Sequence, residues 1–495
     1  MKRPLAYLFC VIACLWAVGC AVESTNQATR NVTATPAASA TSSPSASPAV
    51  ESVANEQPLT LPVLDAFFAD ESFSNLLTTR LQLTEEQIAK LKELAHSETA
   101  KLNDATSGRS EGETATARVT AEEKISSVIG NDKASQLAAL VRERWSDTTE
   151  PGATGNAKTA TEKPVVVTAN PHTPEEFAAR APNTVPTDSR IVVNAPAFRM
   201  DVFDGGRLIK SYKIGIGYPQ FPLPTALRKA RSIIFNPTWT PPDEPWVAKM
   251  KNVTVGEKVE AGSELNPLGP IKIPIGLPSL IHGGKSPAKL GTFASHGCVG
   301  LTTPQVQDFA KMLAQLGGAR LTDADLARYA RDKTQTKQIK LVQEVPVELR
   351  YETIVVEDGK LHIYRDVYDQ DTNSEEDLTA VLAAYGVRLE DLTEEERAQV
   401  LDALAQMAGK SSAKIVRPAT VPQPSPAPSI SPLAANTAAD KKAVAAKKPA
   451  RKKNVKEIVI EIAALSGKGY PAPVELDTGT GRKAKAVAAS SPKKT

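Results

Sequence analysis

The chain has 495 residues, 41% hydrophobic and 23% charged, enough for one or more packed cores. Only 5% is aromatic, while 28 glycines and 37 prolines point to globular parts joined by long linkers. No apolar run reaches the roughly 18 residues of a spanning helix, which excludes a multi-pass membrane protein. Three of the four cysteines lie in the first 20 residues, which excludes a disulfide framework or Cys-rich zinc site in the body.

The net charge of +3 conceals a split: residues 411–495 carry 16 Lys/Arg against 5 Asp/Glu, and residues 21–410 carry 41 against 51. At the start, Lys2 and Arg3 precede a short apolar stretch ending in small residues, the pattern of a secretory signal over residues 1–19. Ala17-Val18-Gly19-Cys20 resembles a bacterial lipobox, which implies Cys20 as a lipidated first residue. Val11-Ile12-Ala13-Cys14 fits more loosely, and ordinary cleavage to a soluble exported protein is the alternative to lipidation. Ala21, where aspartate would imply inner-membrane retention, favours the outer membrane of a two-membrane host. Residues 20–60 are rich in Ala, Thr, Ser and Pro and cannot bury a core, so they read as a flexible tether.

Residues 61–148 read as a helical domain. Thr84-x-x-Gln87 and Thr120-x-x-Glu123 each have the form of a capping box opening a helix. Leu83-Thr84-Glu85-Glu86-Gln87 also resembles the LTxxQ motif of small periplasmic helical chaperones, although a plain helix start is the commoner meaning. A linker is expected over 149–187.

From 188 the pattern becomes β. Ile191-Val192-Val193 is a short strand; Arg199–Phe203 and Leu208–Ile216 alternate around Asp204-Gly205-Gly206, a hairpin signal. Thr303 and Pro304 read as cap and first-turn proline of a helix stopped by Gly317-Gly318. Residues 371–410 read as a helical segment with a box at Thr393-x-x-Glu396. Residues 411–495 read as a basic, mostly disordered tail with one apolar island at Ile458–Ile462. Such a tail suits anionic wall polymer or lipid headgroups; export removes nucleic acid as a sensible partner.

The remaining thiol sits in Ser295-His296-Gly297-Cys298, with His282 sixteen residues before Cys298. A thiol attacks as thiolate and needs a base or an imidazolium beside it, a role His282 fills if Ile281-His282-Gly283 folds back onto the Cys298 turn. Gly297 permits close approach of a carbonyl, leaving backbone amides for an oxyanion. An inert core cysteine, a His282/His296/Cys298 metal site without standard ligand spacing, and a disulfide between chains stand as alternatives. Trp239 and Trp246 suit either a substrate groove or core packing; Tyr212 and Tyr218 suit sheet packing; His96, His172 and His362 are isolated.

Ile281-His282-Gly283 followed by Ser295-His296-Gly297-Cys298 resembles the signature of L,D-transpeptidases, the peptidoglycan cross-linking cysteine enzymes. Asn236-Pro237-Thr238-Trp239 and Asn266-Pro267-Leu268-Gly269 agree in order. Val345-Pro346-Val347, Asp358–His362, Tyr364, Asp366 and Tyr368 look like the C-terminal extension of the longer murein members. The resemblance implies a mainly β catalytic domain over 188–370, an L,D-transpeptidase-like β-sandwich. It makes Cys298 the nucleophile on the third stem-peptide residue, releasing terminal D-Ala, and His282 the base, oriented by the Gly283 carbonyl. Amides of Gly297 and Cys298, with His296, would form the oxyanion hole; Ser295 and His296 would shape the site. The thioester would pass to an amine for a 3→3 cross-link, with no metal or organic cofactor. Water (an L,D-carboxypeptidase) or a protein amine are other acceptors, and a non-catalytic wall-binding lipoprotein with a chaperone-like helical module is a different class. Two positions depart from the family pattern: Gly300 replaces the usual Arg or Asn two residues after the cysteine, and Leu223-Pro224-Thr225-Ala226 replaces Thr-Pro-x-Gly.

Overall fold

The structure, a computed structural model, describes residues 59–102, 113–146, 173–244, 246–408 and 455–480. The signal segment, Cys20, the tether as far as residue 58, His172 and parts of the linker and tail lie outside the described residues. Five helices come first: α1 (Leu61–Phe68), α2 (Glu71–Leu81), α3 (Glu85–Ala100), α4 (Glu113–Ile129) and α5 (Asn131–Ser146). They bury Leu64, Phe67, Phe73, Leu77, Leu91, Ile125, Leu137 and Trp145 in a common core. Thr84 and Gln87 exchange both hydrogen bonds of a capping box at the start of α3. Thr120, expected to open a helix, lies inside α4, because Ala115, Ala117 and Arg118 are strong helix formers that carry the helix back to Glu113. None of the described helices is long and apolar enough to cross a membrane.

Part of the expected 149–187 linker is ordered. Thr173 and Glu176 box the start of α6 (Pro174–Ala178). Beyond it, the buried Asn183 bonds the Ile354 carbonyl at 3.0 Å and the Val356 amide at 2.8 Å.

A strand-rich region follows with β1 (Arg190–Asn194), β2 (Arg199–Asp204), β3 (Arg207–Lys213), β4 (Ile216–Gly217), β5 (Ala226–Phe235), β6 (Ile271–Pro274), β7 (Leu280–His282), β8 (Phe293–Ser295) and β9 (Val299–Gly300). Helices α7 (Thr303–Leu316) and α8 (Asp323–Arg331) lead into the long strand β10 (Lys337–Arg350). Eight strands form one sheet in the order β3-β2-β1-β10-β5-β6-β7-β9, and β4 pairs with β8. Gly215, just after β3, exchanges two 2.9 Å backbone bonds with Gly300 of β9, so the two ends of the sheet meet. Val306, Phe309, Ala310 and Leu313 of α7 fill the enclosed core against Ile191, Val193, Ile273, Ile281 and Val299. The α7 cap is Thr302, boxed with Gln305, one residue earlier than the sequence suggests; Thr303 and Pro304 are its first two helical residues.

Strand β10 alternates: Val345, Val347 and Leu349 enter this core, while Glu348 and Arg350 are buried among charged partners on the other face. Glu348 bonds both Arg190 and Arg350, and Arg199 reaches Glu357 at 2.6 Å.

Residues 354–407 with 455–465 build a further unit. Strands β11 (Ile354–Glu357), β12 (Lys360–Tyr364) and β13 (Glu457–Glu461) form a three-stranded sheet covered by α9 (Glu375–Ala384) and α10 (Glu394–Met407). Two expectations change here. The 371–410 helices belong with the end of the region assigned to the catalytic domain, and part of the 411–495 tail is an ordered strand, because Ile460, Ile462 and Leu465 complete an apolar core.

Candidate active site

Cys298 lies in the turn between β8 and β9, and His282 ends β7. In the parallel β7–β9 pair Ile281 faces Val299 and His282 faces Gly300. Alternation then puts the His282 side chain and that of Cys298, two residues before Gly300, on one face. Both line a cavity of about 830 Å³ with Tyr218, Trp239, Trp246 and Lys285.

The Nδ1 of His282 lies 2.8 Å from the Gly283 carbonyl. A carbonyl only accepts, so Nδ1 carries the hydrogen and Nε2 keeps the basic lone pair. Burial, reinforced by the charge of Lys285, lowers the His282 pKa to about 3, against the pull of backbone bonds to Gly283 and Leu268. Burial also raises the Cys298 thiol, opposed by the Leu280 backbone and Lys285 and assisted by Glu244. The resting pair is therefore a neutral imidazole and a neutral thiol.

Ser295 fastens the Cys298 turn: its hydroxyl donates to the Cys298 carbonyl at 2.5 Å and accepts from the Cys298 amide at 3.0 Å. The Cys298 amide, one of the expected oxyanion donors, is thus engaged by Ser295. Gly297 has φ +89°, a left-handed conformation suited to glycine, and a Cβ there would meet nothing within 4 Å. His296 sits in a cage of rings, flat on Trp246 at 4.4 Å and edge-on to Phe221 at 4.9 Å and Tyr218 at 5.2 Å. Among the described residues no three His, Cys, Asp or Glu side chains are grouped to hold a metal ion.

The family-like segments form the walls. Asn266 Nδ2 donates to the Pro237 carbonyl at 2.7 Å, tying the 236–239 and 266–269 loops together. At Gly269 (φ +66°) a Cβ would lie 2.5 Å from the Gly284 amide nitrogen, so a glycine is needed beneath the His282 loop. The helical domain touches the same surroundings: Thr60 and Thr114 donate to the Gln220 and Pro219 carbonyls at 2.6 and 2.8 Å. Lys249, a cavity residue, donates to the Ala100 and Leu102 carbonyls at and just beyond the end of α3.

Sequence reasoning placed the cysteine turn and its histidine but missed Glu244 and Lys285. Glu244 is 7% exposed, accepts from Trp246 Nε1 at 2.5 Å, and has its pKa raised to about 7 by burial and by Asp65 of α1, against that indole bond. Its only sequence signal was a carboxylate in a proline- and tryptophan-rich stretch. Lys285 follows His282 by three residues and carried no sequence signal of its own. Of the isolated residues, His96 lies 3.7 Å from Asp65 and His362 lies 2.6 Å from Glu457; Tyr212 donates to Asp308 at 2.8 Å.

Residues 188–338 match the YkuD family model, described as the L,D-transpeptidase catalytic domain. Solved structures similar to this chain include an L,D-transpeptidase from Mycobacterium smegmatis (13% identity, 33% of this chain and 58% of that one, TM-score 0.21). Another is the catalytic domain of an E. faecium L,D-transpeptidase (17%, 33% and 98%, 0.20). A third is L,D-transpeptidase 3 of Mycobacterium tuberculosis (13%, 33% and 60%, 0.19). The chain spans less than two thirds of the M. smegmatis and M. tuberculosis structures. No curated protein matches it. On the family match, residues 188–338 of this chain are an L,D-transpeptidase catalytic domain.

Proposed function

We propose that this protein is a cysteine L,D-transpeptidase that cross-links peptidoglycan stem peptides. The observation that carries the reading is the shared face of His282 and Cys298 in one cavity, with His282 Nδ1 held by the Gly283 carbonyl. In the reaction, Cys298 Sγ attacks the carbonyl of the third stem residue while His282 Nε2 takes the thiol proton. The terminal D-Ala leaves with that proton on its amine, and a thioester remains on Cys298. An amine from a neighbouring stem then attacks the thioester and gives a proton to His282; the C–S bond breaks, Cys298 Sγ leaves and takes that proton back from His282, and the 3→3 cross-link is formed. Amides around Gly297 meet the developing oxyanion, and Ser295 and His296 hold the turn and the cavity wall. Lipidation at Cys20 with a tether to residue 60 would let the enzyme reach the wall from the membrane, the outer one being favoured, facing the periplasm.

The test is incubation of the full chain with disaccharide-tetrapeptide muropeptides, read by mass spectrometry. The expected result is loss of D-Ala, a thioester adduct on Cys298 and a 3→3 dimer, all absent in Cys298→Ala. Release of D-Ala without a dimer would identify water as the acceptor. Binding with no mass change in freshly reduced protein would overturn catalysis.

A further inference from the structure

The space over Gly300 is filled by another residue. A Cβ on Gly300 would lie 2.8 Å from Lys285 Cγ, 3.0 Å from Cε and 3.3 Å from Cδ, so the methylene stem of Lys285 runs across the glycine. The Lys285 backbone is fixed there, its amide donating to the Leu301 carbonyl at 3.0 Å. Lys285 lines the cavity with His282 and Cys298, and its charge acts on both. Two other lysines line this cavity. The Lys249 ammonium is engaged by carbonyls of the helical domain, and Lys272 lies on β6 across from His282.

We propose that Lys285 is the cation that positions the substrate here, its stem filling the space that Gly300 leaves open and its ammonium pairing with a carboxylate of the donor stem peptide. The inference rests on the transpeptidase reading of the site. It explains why a glycine two residues after the nucleophile is compatible with a working site: a long side chain at 300 would displace the Lys285 stem. The ammonium acts as a point charge that tolerates some variation in carboxylate position, where a planar guanidinium would impose a fork.

Lys285→Met keeps the stem and removes the charge. For the full chain with a free-carboxylate tetrapeptide donor, it should raise KM roughly 10- to 100-fold, the range of one charge-assisted hydrogen bond. A donor amidated at that carboxylate should show the same KM with wild type and Lys285→Met. In Lys285→Ala, the added change Gly300→Arg should restore most of the affinity by returning a cation to the same space. Equal loss on acid and amide donors, or a loss confined to kcat, would overturn the proposal. If the wild type turns over no donor, the transpeptidase reading fails separately. Calorimetry on Cys298→Ala with and without Lys285→Met then judges Lys285: weaker carboxylate binding in the double variant supports it, and unchanged or absent binding overturns it.

Discussion

Trp246 lies flat on His296, ring centroids 4.4 Å apart and planes 10° from parallel, and Trp239 stacks behind it at 5.9 Å. The residue two before Cys298 is thus held by an aromatic wall of Trp246 and Trp239. Removing the indole should loosen His296 and widen the cavity. A ring pair is worth about 0.5–1.5 kcal/mol beyond its buried area, so Trp246→Ala should lower kcat/KM for acylation roughly 3- to 10-fold. Trp246→Phe, which keeps a ring, should stay within about threefold of wild type. Rates of acyl-enzyme formation followed by mass spectrometry check both.

Glu244 links this wall to the pH response of stability. Its folded pKa is raised to about 7, against an ordinary value of 4.5. Between those values the folded state keeps a proton that the unfolded state has released. Its contribution therefore falls as pH rises from about 4.5 to 7 and is level above. Glu244→Gln removes that loss, so the variant should gain stability over wild type at pH 8, by no more than about 3 kcal/mol, and converge with it near pH 4.5. Because Glu244 also helps to raise the Cys298 thiol, iodoacetamide should alkylate Cys298 faster in Glu244→Gln at pH 7.5. Urea unfolding across pH and alkylation rates test the two halves independently.

His282 gives the opposite slope. With a folded pKa lowered to about 3, it stays neutral while the unfolded imidazole gains a proton below about 6.5. Stability should decline as pH falls through that window, by up to about 1.4 kcal/mol per pH unit from this group. In the Glu244→Gln background, which removes the neighbouring titration, acylation should show no inflection near pH 6.5. A bell-shaped profile with an acid limb there would mean a preformed thiolate–imidazolium pair. His282→Ala should lower acylation by roughly 10²- to 10⁴-fold, the usual worth of a positioned base.

Ser295 is a positioning residue for the nucleophile. Ser295→Ala removes the two hydrogen bonds that close the Cys298 turn and leaves the Cys298 amide without that acceptor. The expected cost is about 1–3 kcal/mol of stability. If Ser295 acts only through this turn, kcat should fall while KM for the donor stays within about threefold of wild type. Urea unfolding and steady-state kinetics read the two effects.

The Cys298 turn stood out in the sequence because its signal is local: a thiol with His, Gly and Ser at fixed spacing has few bland meanings. The strands were legible where apolar residues run together, as at Ile191–Val193, or alternate with polar ones, as at Arg199–Phe203. What escaped was set by distant packing. Thr120 has the residues of a cap, but a cap matters only where the preceding chain leaves the helix, and Ala115 and Ala117 do not. Lys285 and Gly300 are 15 positions apart, and nothing in either residue alone says that one covers the other. The tail strand escaped for the same reason: five apolar-patterned residues in a basic, proline-rich stretch cannot bury a core alone, and their partners are about 100 residues away.

That strand offers the remaining test. Ile460 is buried against β12 and the two covering helices, whereas its neighbour Val459 is 47% exposed. The chain then runs on to Asp477, whose amide donates to Ser211 and whose carbonyl accepts from Lys213 and from Gln305 of the α7 capping box. One segment therefore completes the small sheet and also ties the outer edge of the catalytic sheet to the helix that follows Cys298. Ile460→Ala should cost about 2–5 kcal/mol, as for other fully buried aliphatic truncations, and Val459→Ala less than about 0.5 kcal/mol. Ending the chain at residue 454 should destabilise at least as much as Ile460→Ala. It should also slow acylation, because Gln305 loses its Asp477 partner. Denaturant unfolding and acylation rates of the three proteins check this; equal stability of the truncated and full chains would show that residues 455–480 add nothing to the fold.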